Sequence, residues 1–102
     1  MLGSMTEHGL QELVVQKLFL GTQAMDSEHG LSDSTMEIAR VKRAMINAAR
    51  EVILITDSSK WGRSGFSKVA PLTDLDVVIT DAGLPASARQ SLVDAGVEVV
   101  IA

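Results

Sequence analysis

Apolar positions along this chain fall into short unbroken runs and one helical stripe. The runs are "KLFLGTQ" (17–23), "VILIT" (52–56), "DVVIT" (76–80) and "VEVVIA" (97–102). Continuous β-branched stretches of this kind mark strands covered on both faces, as parallel sheets require. The stripe is Ile38, Val41, Met45, Ala48 and Ala49, one face of a helix. Ser34 with Glu37 forms a capping-box pattern at its start, and the helix is predicted to reach about Arg50. "PASARQSLVDAG" (85–96) reads as a second, shorter helix with Pro85 at its entry and Gly96 at its C-cap. "MDSEHGLSDST" (25–35) reads as turn chemistry, and the segment holding Trp61, Gly62, Gly65 and Pro71 as irregular.

Strands alternating with helices predict an α/β fold, a mostly parallel sheet with helices packed on both faces. In such sheets ligands bind outside the carboxyl ends of the strands. That rule changes the status of a short echo: "LITD" (54–57) recurs as "VITD" (78–81), so Asp57 and Asp81 stand at two strand ends. Ser58, Ser59 and Lys60 follow the first of them, and Gly21, Thr22 and Gln23 follow an earlier strand. A lysine and hydroxyls at such an edge suit a phosphate or sugar hydroxyls. The bland alternative is an Asx-type turn at Asp57 and Ser58 with Lys60 in solvent. On a helical wheel Lys42 lies about 40° from Ile38, on the flank of the stripe, either snorkelling to water or aimed into a pocket beside the strand ends. Arg43 points away, and Arg63 and Lys68 read as solvated or at a subunit contact.

Composition narrows the function classes. The chain has 102 residues, a formal net charge of −4 and a pI near 5.0, which excludes non-specific nucleic-acid binding through a basic face. It has no cysteine, and His8 and His29 without a thiol partner make no metal site. No cofactor is implied. No apolar stretch approaches the roughly 20 residues that span a bilayer, so a cytoplasmic protein is expected and no membrane partner. Ser58 or Ser59 with His29 lacks the elbow and the orienting acid of nucleophilic catalysis. "WGRSGF" lacks the spacing of a dinucleotide loop, and Trp61 is expected to pack over the sheet edge. "MLGSM" (1–5) resembles a cloning scar, which leaves 6–102 as the domain.

Residues 30–85, "GLSDSTMEIARVKRAMINAAREVILITDSSKWGRSGFSKVAPLTDLDVVITDAGLP", together with "FLGTQAMD" (19–26) and "LVDAGVEVVIA" (92–102), resemble the C-terminal effector-binding domain of DeoR-family bacterial transcriptional regulators. The resemblance implies a ribose-5-phosphate-isomerase-like sensor domain. It also implies a phosphorylated sugar or related metabolite as effector, and operator DNA contacted only through a winged helix-turn-helix that this sequence lacks. The first half of such a sensor domain, with its phosphate-binding loop, is likewise not in the sequence, so self-association is expected to cover what that half would cover. The alternatives are an active sugar-phosphate isomerase and an oligomerisation module. Aligned on the "DSSK" corner, the isomerases' catalytic glutamate falls at Lys42, while Lys60 matches a substrate-contacting lysine; Asp26 lies near an acidic isomerase loop but matches it less cleanly. A cation is a poor base for proton abstraction, so no proton exchange at a sugar phosphate's C2 is expected, which NMR in deuterated water measures. The resulting candidate ligand residues are Lys60, Lys42, Asp57, Ser58, Gly21, Thr22 and Asp81.

Overall fold

The apolar runs pair side by side. In the computed structural model, which describes residues 15–102, strands β1 (Val15–Leu20), β4 (Ala49–Ile55), β6 (Val77–Thr80) and β7 (Glu98–Ile101) form one parallel sheet in the order β1-β4-β6-β7. The expected scar at 1–5 and the domain start at residue 6 lie outside the described residues. Each parallel strand therefore returns beside its predecessor after a crossover: helix α1 (Met36–Ala48) lies between β1 and β4, and helix α2 (Ala86–Asp94) between β6 and β7. The α/β, mostly parallel architecture read from the sequence is the one observed.

Three further strands occupy stretches that read as turn or irregular. β2 (Ala24–Asp26) and β3 (Gly30–Asp33) form a hairpin, and β5 (Ser67–Ala70) adds to β3, making a three-stranded antiparallel sheet. The hairpin turn is built by Asp26, whose Oδ1 accepts the backbone N–H groups of Glu28 (2.9 Å) and His29 (2.5 Å). Side-chain capping of this kind reads as a turn in any sequence. The strands on either side of it exist because Met25 and Leu31 are buried in tertiary contact. Trp61 pairs with Met25, and the Gly62 N–H donates to the Met25 carbonyl at 2.8 Å. This holds the indole half-buried against the core.

The register sorts the parallel sheet into two faces. One row runs Leu20, Leu54, Val78 and Val99 across all four strands. With Val52, it joins Ala39 and Ile46 of α1, Leu92 of α2, and Met25, Leu31 and Val69 of the small sheet in a single core. The opposite face carries Phe19, Ile53 and Val77 in one row and Ile55, Ile79 and Val100 in the next, and none of these six belongs to that core. Ile53 is buried, but Phe19 is 58% and Ile55 51% exposed. Among the described residues both helices contribute to the core on the first face, through Ala39, Ile46 and Leu92, while Val41 and Ala88 are buried outside that cluster. Continuous apolar composition therefore reports double cover at Ile53 and overstates it at Ile55.

Helix α1 starts one residue later than its capping-box pattern: Thr35 is the N-cap, its hydroxyl accepting the Ile38 N–H at 3.1 Å. It ends at Ala48, because Ala49 is already extended and pairs with Val15. Its buried positions are Ala39, Val41 and Ile46, so the stripe is wider than the large apolar residues alone indicate. Lys42 falls inside that span. Arg43 is exposed but not idle, since its guanidinium donates to the carbonyls of Val69 (3.1 Å) and Lys68 (2.6 Å) and ties α1 to β5. Among the described residues no helix is long and apolar enough to cross a membrane.

Candidate functional site

The echoed tetrapeptides end on adjacent strands. Leu54 pairs with Val78 and Ile55 with Ile79, so Asp57 and Asp81 emerge side by side at the carboxyl edge of the sheet. Both carboxylates are turned onto the backbone around them. Asp57 caps a single 3-10 turn (Ser58–Lys60), its Oδ1 accepting the Ser59 N–H at 2.9 Å and the Ser59 hydroxyl. Asp81 crosses to the neighbouring loop: Oδ2 accepts the Ser58 N–H at 2.9 Å and Oδ1 the Gly83 N–H at 2.8 Å. A Cβ on Gly83 would stand 2.7 Å from Ser58 Oγ and 2.9 Å from Asp81 Oδ1, so the corner closes only around a glycine.

These bonds favour the charged form of each acid. The Ser59 hydroxyl, above all, holds the Asp57 carboxyl below its ordinary value of 3.8, aided by the Ser59 N–H and Lys60 and opposed by neighbouring Asp81. The Ser58 N–H does the same for Asp81, helped by the Ser58 hydroxyl and the Gly83 N–H. Because the folded values are depressed, the stabilisation is fully present above the unfolded carboxylate range and is lost as pH falls through the lowered values. The bonds to both carboxylates are therefore at full strength at neutral pH and weaken only in acid.

A second cluster sits at the end of β1. Lys42 reaches from α1 to donate to Asp33 Oδ2 at 2.5 Å and to the Gly21 carbonyl at 2.9 Å. The Asp33 side chain is 3% exposed and that of Lys42 23%, and Asp33 Oδ1 also accepts the Ser34 N–H at 3.3 Å. Thr22 turns its hydroxyl inward to the carbonyls of Ala24 (2.9 Å) and Ser32 (3.1 Å). Gly21 adjoins β4, a Cβ there lying 3.8 Å from the Ile55 carbonyl. The seven candidate residues thus fall in two groups: Asp57, Ser58, Lys60 and Asp81 in the loops that follow β4 and β6, and Gly21, Thr22 and Lys42 at the end of β1 beside Ser32 and Asp33. Asp33 was not among the sequence candidates. Its position in "SDST" carries a turn signal and nothing that indicates a buried charge.

A cleft of about 460 Å³ opens at the strand ends, lined by Ile55, Thr56, Asp57, Ile79, Thr80, Asp81 and Ala102. Asp57 and Asp81 face it; the remaining candidates do not line it. Thr80, also absent from the sequence candidates, is 3% exposed, and its hydroxyl has no hydrogen-bond partner among the described residues. A desolvated, unpaired hydroxyl is a net cost, so the isosteric Thr80→Val should raise unfolding free energy by about 1 kcal/mol. Urea denaturation measures it, and a loss of stability would mean that the hydroxyl is bonded.

Two other features have less to offer a ligand. A larger cleft of about 660 Å³ lies between the β2–β3 turn, β5 and the C-terminal end of α2, but Arg43 on its wall is already spent on two carbonyls. His29 Nδ1 lies 3.1 Å from Asp26 Oδ2 and 3.3 Å from Ser64 Oγ. One ring nitrogen facing both partners makes no proton relay, which needs the two nitrogens of the imidazole on opposite partners. Burial pushes the Asp26 carboxyl up, but the His29 N–H and ring and the Ser64 hydroxyl outweigh it and hold the group lowered. The trio fastens the loop after Trp61 to the hairpin.

Comparison with known proteins places this geometry. A family model described as the DeoR C terminal sensor domain matches residues 1–82. The HTH-type transcriptional regulator GlpR of Haloferax volcanii is 39% identical over 100 residues, covering 98% of this chain. The HTH-type transcriptional repressor GlcR of Bacillus subtilis is 38% identical over 100 residues, covering 97%. The glycerol-3-phosphate regulon repressor of Escherichia coli is 37% identical over 75 residues, covering 74%. The chain spans 39%, 38% and 30% of these proteins' own lengths. With the family model running through the hairpin, α1 and the Asp57–Asp81 corner, this chain belongs to the DeoR C-terminal sensor domain family.

Proposed function

We propose that the domain senses a phosphorylated sugar or a related phosphorylated metabolite at the carboxyl edge of its parallel sheet. Occupancy would be relayed to operator DNA through a DNA-binding domain outside this sequence, in a cytoplasmic regulator. The observation that carries the reading is the corner itself. Asp57 and Asp81 are locked by backbone N–H groups, and Lys60 closes the same 3-10 turn through its backbone N–H on the Asp57 carbonyl (3.2 Å), while its ammonium, felt by Asp57 only through space, makes no hydrogen bond or ion pair among the described residues. A fixed turn bearing an uncommitted ammonium suits a phosphate, and carboxylates beside it suit sugar hydroxyls. A relative named for the glycerol-3-phosphate regulon supports a phosphorylated metabolite as the class. Regulation rather than catalysis accords with Lys42, whose ammonium donates to a carboxylate and a carbonyl and so offers no lone pair to a substrate proton.

Lys60→Ala is expected to weaken sugar-phosphate binding about tenfold or more, the size of a lost charge-assisted hydrogen bond, while leaving the fold intact because Lys60 is not part of the core. Calorimetric titration of both proteins with a panel of sugar phosphates reads it. Equal affinity in the two would return Lys60 to the role of a solvated turn residue.

The same reading includes self-association. Phe19, Ile55 and Val100 leave one face of the sheet partly open, and β1 and β7 end the sheet order among the described residues. Apolar faces and free strand edges are commonly closed by a second copy. A dimer or larger species is expected at micromolar concentration, and sedimentation equilibrium showing only a 10.9 kDa monomer through a dilution series would refute it.

A further inference from the structure

We propose that Asp33 restricts the effector to a single phosphate by neutralising Lys42, an inference that rests on the effector reading above. Along the rim from β1 to β6 the described residues supply two ammonium groups, Lys42 and Lys60, and three carboxylates, Asp33, Asp57 and Asp81. The two lysines are not equivalent. The Lys60 ammonium makes no hydrogen bond or ion pair among the described residues and acts on Asp57 only through space, whereas Lys42 lies 2.5 Å from a carboxylate that is 3% exposed. A buried carboxylate stripped of its counter-charge is strongly unfavourable, so an incoming anion that drew Lys42 away would have to leave Asp33 uncompensated. Lys42 is also pinned by the Gly21 carbonyl at 2.9 Å, which ties α1 to the loop after β1.

The charge left facing a ligand is therefore one ammonium against two carboxylates. One phosphate is accommodated at Lys60, with hydroxyls rather than anions directed to Asp57 and Asp81. A second phosphate on the same sugar meets either those carboxylates or an ion pair with no net charge, and like charges at this range repel. Sequence alone points the other way, because Lys42 and Lys60 both read as candidate ligand-binding cations. The carboxylate that cancels one of them is brought in by β3.

Calorimetry with fructose 6-phosphate and fructose 1,6-bisphosphate tests the assignment on three proteins: wild type, Asp33→Asn, and Asp33→Asn with Lys42→Met. Wild type is expected to bind the monophosphate at least as tightly as the bisphosphate. Asp33→Asn keeps the shape and an acceptor oxygen but frees the Lys42 charge, so the bisphosphate should gain about tenfold relative to the monophosphate. The gain should shrink with added salt and vanish in the double variant. A wild type that prefers the bisphosphate overturns the proposal even if Asp33→Asn does not fold. An unchanged ratio in a folded Asp33→Asn overturns it while leaving the effector reading standing. Failure of wild type to bind any member of a sugar-phosphate panel removes the effector reading and the proposal with it.

Discussion

Gly30→Ala is expected to destabilise the protein by about 3 kcal/mol or more, measured as the fall in unfolding free energy by chemical denaturation. Gly30 opens β3 with φ +72, a left-handed conformation that costs an L-residue roughly 1–2 kcal/mol. A Cβ there would also lie 2.3 Å from the Ala70 carbonyl oxygen and 2.7 Å from the Pro71 Cα. Both are backbone atoms and cannot rotate aside as a side chain would. Relieving them means separating β3 from β5, and those strands carry Leu31 and Val69, among the most deeply buried side chains of the core. Overpacking of this kind adds about 1–3 kcal/mol to the conformational term. An alanine variant within about 1 kcal/mol of wild type would show that the β3–β5 seam is looser than its geometry indicates.

The elements legible in the sequence are those whose stability is written locally. Strands β4, β6 and β7 announce themselves by unbroken apolar runs, and α1 and α2 by period and by the Ser34–Glu37 pattern, Pro85 and Gly96 near their ends, although the cap itself is Thr35. The antiparallel sheet was not legible, because "AMD", "GLSD" and "SKVA" are too short and mixed for a period of two to emerge. Pairing and the burial of Met25, Leu31 and Val69 make them strands. The site divides the same way. That Asp57 and Asp81 stand together follows from the repeated tetrapeptide once the strands are parallel and adjacent. That their oxygens are turned onto Ser58, Ser59 and Gly83 depends on loop conformation, which no spacing reveals. The polar partner of Lys42 lies nine residues away across a strand and a helix cap, in a segment whose composition says only turn.

Lys42→Met tests what that hidden partner is worth. Methionine keeps most of the lysine stem, so packing along α1 is largely conserved, while Asp33 loses its only counter-charge among the described side chains. Breaking a fully buried pair costs about 3–5 kcal/mol. Lys42 retains some solvent contact, which screens the pair, so about 2–3 kcal/mol is expected at neutral pH. The same variant with Asp33→Asn removes the stranded charge and should recover a large part of the loss, since a neutral amide at this position still accepts the Ser34 N–H. The coupling between the two sites in a double-mutant cycle should be at least about 1 kcal/mol. Additive losses would mean that Asp33 is solvated well enough to stand alone. In that case Lys42 would be free to meet a ligand, as its place in the sequence indicates.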